Sequence, residues 1–172
     1  MFYIESERLK LIPLTHNQLK LLHQSRHKME LSMGLTPSNM LIDQIWQDEL
    51  GDAIENWCIP KTLEHPNNWI WYSLWEVVLK DTNTSIGSFG LGHPDENGES
   101  ITGYSLDRNQ QGKGYGTEAL KRLCQWGFEN PAVKVIWADT DADNMPSIRI
   151  LHKVGFVQQG ERDGRPMFKL YK

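Results

Sequence analysis

Cysteine is nearly absent from this 172-residue chain: Cys58 and Cys124 are the only two, far apart and in no CxxC pair. A disulfide scaffold or zinc ribbon needs more sulfur at closer spacing, and two lone thiols fit a reducing compartment. Long apolar runs are lacking as well. The uncharged stretch 31–42 is broken by Gly34 and Pro37, whereas a membrane span needs about 18–20 apolar residues. The opening MFYIESERLK is charged from Glu5 onward and holds no apolar signal core. A basic excess is missing too: the net charge is −4 and the pI near 5.8, where general nucleic-acid binders carry surplus Lys and Arg. Internal repeats and low-complexity tracts are absent. The expectation is a cytoplasmic, soluble protein, monomer or homodimer, with neither membrane nor nucleic acid as partner.

What is present suits one domain over residues 1–172, since 39% hydrophobic and 23% charged residues are ordinary globular values at a length that buries a real core. Leu9 and Leu11 alternate with Arg8 and Lys10, which predicts a short first strand. Thr15 is placed to cap a helix carrying Leu19, Leu21 and Leu22. A second helical stretch follows Ser38, with Met40, Leu41, Ile45, Trp46 and Leu50; Gly51-Asp52 interrupts it before a third piece at 53–58. Residues 69–79, WIWYSLWEVVL, read as a strand covered on both faces. Strands at 86–91 and 100–106, joined around Asn97-Gly98, complete an antiparallel meander. Then come a glycine loop, a helix at 115–129, a strand at 133–138, a helix at 146–154 and a last strand at 168–171. The class is a mixed α+β domain.

The loop, RNQQGKGYGTEAL at 108–120, places Gly112, Gly114 and Gly116 directly before a helix. Consecutive N–H groups in a tight turn converge on one point, and a helix N-terminus adds unpaired donors and a positive dipole end. An anion there needs close backbone approach, which side chains would block. Lys113 adds a mobile charge. The dinucleotide fingerprint GxGxxG fails, because the third glycine falls at 116 where 117 is required, and the Walker pattern is absent. In the helix, Leu120, Leu123, Cys124 and Gly127 form one buried face, so Cys124 reads as core and not as a nucleophile.

A second constellation spans 139–156, DTDADNMPSIRILHKVGF. A calcium loop opening at Asp139 would need Gly and Glu where Asn144 and Ile150 stand, so calcium is excluded. Pro146 suits a first helical turn and Gly155 a helix end. Asn144 and Ser147 then sit at the C-terminal end of the preceding strand, where open sheets bind ligands. His23 and His27 have the spacing of a zinc-protease helix, but Gln24 stands where its Glu is required; a surface helix is the reading. Trp69, Trp71 and Trp75 read as core or as the wall of an acceptor groove, and both readings stay open.

Together these two motifs resemble the GNAT superfamily of N-acyltransferases. Gln111, Gly114 and Gly116 match Q-x-x-G-x-G, and residues 144–156 match N-x-x-S-x-R-x-L-x-K-x-G-F. The opening SERLKLIPLT is similar to the ribosomal-protein N-terminal acetyltransferase branch. The resemblance implies a central mixed, mostly antiparallel twisted sheet of six to seven strands, splayed near the CoA site and flanked by helices on both faces. It implies acetyl-CoA as co-substrate, no metal, and a primary amine acceptor, either a protein N-terminus or a small amine. The pyrophosphate would rest on the amides of Gln111, Gly112, Lys113, Gly114, Tyr115, Gly116 and Thr117. The pantetheine arm would pair with Tyr104, Ser105 and Leu106 and be held by Asn144, with Ser147 near the sulfur.

The family pattern is incomplete at the chemistry. Ile101 stands where many relatives carry a Glu base, and Leu151 where many carry a Tyr acid. In the ribosomal branch a Ser at the position of Ser147 takes the acid role; a helix-capping hydroxyl is the alternative. Glu99, two residues before Ile101 and so about 7 Å away on the same strand face, is the candidate base, or else a solvated hairpin residue. Asp139, Asp141 and Glu161 are further candidates. A CoA-binding module that has lost catalysis is the rival function, and an unrelated phosphate-binding domain a third.

Overall fold

The structure, a computed structural model, describes residues 2–172 apart from the side chains of residues 45 and 46. The apolar spacing expected through Ile45 and Trp46 therefore lies outside the described residues. Eight strands form one sheet: β1 Ile4–Glu5, β2 Leu9–Pro13, β3 Leu74–Leu79, β4 Thr84–Leu91, β5 Glu99–Leu106, β6 Val135–Asp139, β7 Val157–Arg162 and β8 Arg165–Tyr171. Their spatial order is β1-β2-β3-β4-β5-β6-β8-β7. All neighbours are antiparallel except β5 and β6. The expectation of six to seven strands missed β1, which has two residues, and β7, whose VQQGER is exposed throughout and shows no apolar alternation.

Helices cover both faces, and the parity of β3 shows how. Trp75, Val77 and Leu79 point into the main core beneath helix α5, Tyr115–Glu129, and α6, Met145–Val154. Leu74 and Val78 point the other way, toward α1 (His16–Gln24) and α2 (Arg26–Ser32). Between them Glu76, fully buried, takes the Arg26 guanidinium at 2.7 Å and the hydroxyls of Ser85 and Ser88. That ion pair ties α2 to the sheet, because a buried carboxylate left without partners would be strongly destabilising.

Thr15 caps α1 as expected, in a capping box with Gln18. Ser25, extended at φ −168°, ends α1 and caps α2, so His23 and His27 lie on different helices and their zincin-like spacing has no geometric meaning. The second helix starts later than expected. Residues 37–43 are irregular, and α3 runs Gln44–Ala53, straight through Gly51-Asp52 into a π turn, Ile54–Cys58, and α4, Ile59–Glu64. Pro60 explains the wide turn: its ring cannot fit under a regular i−4 carbonyl, and the π turn makes room. Residues Trp69–Tyr72 form a 3-10 turn and not the start of β3. Trp75 is fully buried, and the half-buried Trp71 packs tilted on Trp126 with ring centroids 4.6 Å apart, which places these two in the core; Trp69 is half-buried and outside that cluster.

One feature of the sheet opens the cleft. β5 pairs with β4 from Thr102 to Leu106, but with β6 only from Glu99 to Ile101. Beyond Ile101 the two parallel strands part, and the edge of β5 facing the gap has no strand partner among the described residues.

Candidate active site

The gap between β5 and β6 opens into a cleft of about 540 Å³, within the range of small-molecule sites. Of the residues expected to hold a cofactor, 104–106, 111–112 and 114–117 line it, together with Asn144 and Ser147. Lys113 does not line it: the ammonium is turned to the Gln110 side chain at 2.9 Å.

The floor of one end is the glycine loop. Gly112 and Gly114 both take left-handed backbone, φ 76° and 84°, which explains glycine at these two positions. Gly114 is the N-cap of α5, and no side chain caps the helix there. The first intrahelical bond runs from Glu118 N–H to the Gly114 carbonyl, which leaves the N–H groups of Tyr115, Gly116 and Thr117 without intrahelical acceptors. These donors and the helix dipole face a cleft that Arg108, Arg149, Lys153 and Arg165 also border. The arrangement suits a polyanion. Gly116 has a second reason to be glycine: a Cβ there would sit 2.8 Å from Ile150 Cδ1 on α6. Ile42 and Asp43, from the irregular segment before α3, form part of the wall. Leu41 is tethered there by its N–H to the Asp107 carboxylate at 3.1 Å and its carbonyl to the Arg108 N–H at 3.0 Å, and Asp43 pairs with Arg108. Nothing in the sequence of 39–43 signals this, because the tether joins segments over 60 residues apart.

At the other end, Asn144 caps α6 by accepting the Ser147 N–H at 3.2 Å. Ser147 is thus not the cap. Its hydroxyl lies 2.9 Å from the Tyr104 phenol, which also reaches the Ser147 carbonyl at 3.3 Å. The Tyr104 ring stacks on Phe89 at 5.1 Å. Burial pushes this phenol up to about 12, more than the Ser147 hydrogen bond lowers it, so it is a neutral donor at any physiological pH. Either hydroxyl can donate in this pair; when Tyr104 donates to Ser147 Oγ, the serine proton is free to point into the cleft. Ser105, also in the lining, has a buried hydroxyl with no hydrogen-bond partner among the described residues.

The carboxylates divide clearly. Glu99 does not line the cleft; it lies on β5 before the strands part, bound to Lys169 at 2.7 Å, and its hydrogen bond raises the Lys169 pKa. Its sequence distance from Ile101 was suggestive, but its partner is on β8, which periodicity cannot reveal. Asp139 does line the cleft, at the end of β6, with Arg165 at 3.3 Å and Arg162 at 3.6 Å. Asp141 meets Arg165 at the rim at 3.0 Å, and Glu161 is exposed on the edge strand β7. Cys124 is in the core, with burial pushing its thiol up to about 12, which removes it as a nucleophile.

Comparison with known proteins agrees with this geometry. Residues 8–157 match the family model described as an acetyltransferase (GNAT) domain. The uncharacterized N-acetyltransferase p20 of Bacillus licheniformis is 36% identical over 85 residues, 49% of this chain and 48% of that protein; the chain spans about half the length of the curated relatives it matches. Among solved structures, RimL, a ribosomal L7/L12 alpha-N-protein acetyltransferase in complex with coenzyme A, superposes with a TM-score of 0.68 at 18% identity, over 99% of this chain and 98% of that one. The aminoglycoside acetyltransferase AAC(6')-Ib in complex with coenzyme A gives 0.63 at 20% identity, over 95% of each. With a family match running over residues 8–157, most of its length, this chain belongs to the GNAT acetyltransferase family.

Proposed function

We propose that residues 1–172 act as a single acetyl-CoA-dependent N-acetyltransferase domain, with a primary amine as acceptor. The observation that carries the reading is the pairing of an uncapped, glycine-shaped α5 N-terminus with the free edge of β5 in one cleft. The first suits the pyrophosphate of CoA; the second suits the amide groups of pantetheine, which would add to β5 like a strand. Acetyl-CoA supplies the activated thioester carbonyl. The chain does the rest: the α5 amides hold the diphosphate, 104–106 align the arm, and Ser147 offers a proton to the departing sulfur, oriented by Tyr104. Two carboxylates line the cleft, Asp43 and Asp139; Asp139, at the end of β6, is the candidate to take the ammonium proton, directly or through water.

The acceptor is either a protein N-terminus or a small amine, as the names of RimL and AAC(6')-Ib illustrate for their own chains. A screen of short peptides, polyamines and amino sugars, scored by release of CoA thiol from acetyl-CoA, tests the proposal. Turnover with at least one primary amine is expected. CoA binding without turnover across the panel would favour a catalytically silent CoA-binding module, and no CoA binding would overturn both.

A further inference from the structure

Arg8, on the turn between β1 and β2, is joined to the glycine loop from the far end of the chain. Its Nε and Nη2 meet one Glu118 oxygen at 2.7 Å each, and its own backbone N–H reaches the other at 2.8 Å. Its Nη1 donates to the Lys113 carbonyl at 3.0 Å. The guanidinium carbon lies 4.4 Å over the Tyr115 ring, and Nη2 sits 3.3 Å from where a Gly114 Cβ would be. Ser6 completes the clasp with a hydroxyl to Glu118 at 2.7 Å, and Arg122 of α5 returns a bond to the Glu5 carbonyl at 3.0 Å.

We infer that Arg8 is a positioning residue for the anion cradle, setting the Lys113–Gly114 peptide and neutralising Glu118 so that the α5 N-terminus can receive a diphosphate. Two physical arguments meet here. In a trans peptide the C=O and N–H point in opposite directions. Pinning the Lys113 carbonyl outward onto Arg8 therefore turns the Gly114 N–H the other way, toward the side that Gly114 lines. Glycines at 112 and 114 leave this peptide free to flip, so something outside the loop must choose its orientation. Second, Glu118 is in the first turn of α5, where its charge already occupies the favourable end of the helix dipole and would repel an incoming phosphate. Arg8 compensates it. Burial alone would raise this carboxyl, but the Arg8 and Ser6 hydrogen bonds outweigh it and hold it below the usual carboxylate range. The cation belongs in a fork: one planar group grips Glu118, the Lys113 carbonyl and the Tyr115 face at once, which an ammonium does not.

The inference rests on the acetyl-CoA reading, and the test separates the two. Arg8→Gln, Arg8→Lys and the double variant Arg8→Gln/Glu118→Gln are compared with wild type for CoA affinity by calorimetry and for turnover of acetyl-CoA against acetyl-pantetheine, which has no diphosphate. Arg8→Gln should bind CoA roughly tenfold more weakly, the range for one charge-supported hydrogen bond, and raise KM for acetyl-CoA while leaving acetyl-pantetheine turnover unchanged. Arg8→Lys should recover little of the affinity. The double variant should recover part of it, since no uncompensated carboxylate remains. Unchanged CoA affinity in Arg8→Gln, or a parallel loss with both donors, overturns the inference and makes Arg8 a purely structural tie. Wild type that does not bind CoA overturns the acetyl-CoA reading itself.

Discussion

Replacing Tyr104 with Phe removes one oxygen and little else, because the ring keeps its stack on Phe89. What is lost is the 2.9 Å bond to Ser147 Oγ and the longer one to the Ser147 carbonyl. A net hydrogen bond of about 0.5–1.5 kcal/mol that orients the serine only in the reacting complex corresponds to a fall in kcat of about two- to tenfold. Ser147→Ala removes the proposed proton donor itself and should cost on the order of a hundredfold, the lower range for general acid catalysis. If Tyr104 acts through Ser147, the double variant will be no slower than Ser147→Ala alone. KM for acetyl-CoA should hardly change in any of the three, and the rate should be followed by thiol release with whichever amine the screen supplies. The phenol stays neutral across assay pH, so Tyr104→Phe should scale the pH–rate profile without removing a limb. Multiplicative losses in the double variant, or a raised KM at unchanged kcat, would refute the relay and return Tyr104 to a packing role.

Gly114→Glu should abolish CoA binding in calorimetry, since it puts a carboxylate at the proposed anion site on a residue at φ 84°; near-wild-type affinity would contradict the proposed cradle. Gly127→Ala gains about 1 kcal/mol of helix propensity, yet its Cβ would lie 2.5 Å from Leu91 Cδ2 and 3.3 Å from Ile136 Cδ1. Overpacking of that kind costs about 1–3 kcal/mol, so urea unfolding should show a net loss of about 1 kcal/mol. Glu118→Gln should lower stability at pH 7, measured by thermal melting. Because the folded carboxyl is held below its ordinary value of 4.5, that stabilisation exists above pH 4.5 and is lost as pH falls further. The gap between variant and wild type should close in acid, and a gap that persists there would point to packing instead.

Much of this was legible in the chain because it is local. Thr15 and Gln18 form their capping box within one turn, and Tyr115–Glu129 is the helix its apolar face predicts. The loop glycines followed from the same logic, as did Pro146 and Gly155 at the two ends of α6. What escaped depends on partners distant in sequence. Glu99 stands two residues before Ile101, yet its carboxylate pairs with Lys169 on β8 outside the cleft lining, and the cap of α6 is Asn144, which leaves the Ser147 hydroxyl beside Tyr104. Residues 69–72 are β-formers that curl into a 3-10 turn, with Trp71 against Trp126 of α5. Trp71 and Tyr72 find aromatic packing partners in Trp126, His65 and His93, which a turn supplies as well as a strand.

The sequence by itself determined the family, the glycine loop and the helix that follows it, since backbone conformation and short-range periodicity are properties of neighbouring residues. Tertiary structure alone decided which groups face the cleft. Where β5 and β6 part, where Arg8 grips the loop, and which of the candidate carboxylates reaches the site are set by packing between segments up to 112 residues apart. No local pattern encodes those distances, because they follow from how the whole sheet closes around its core.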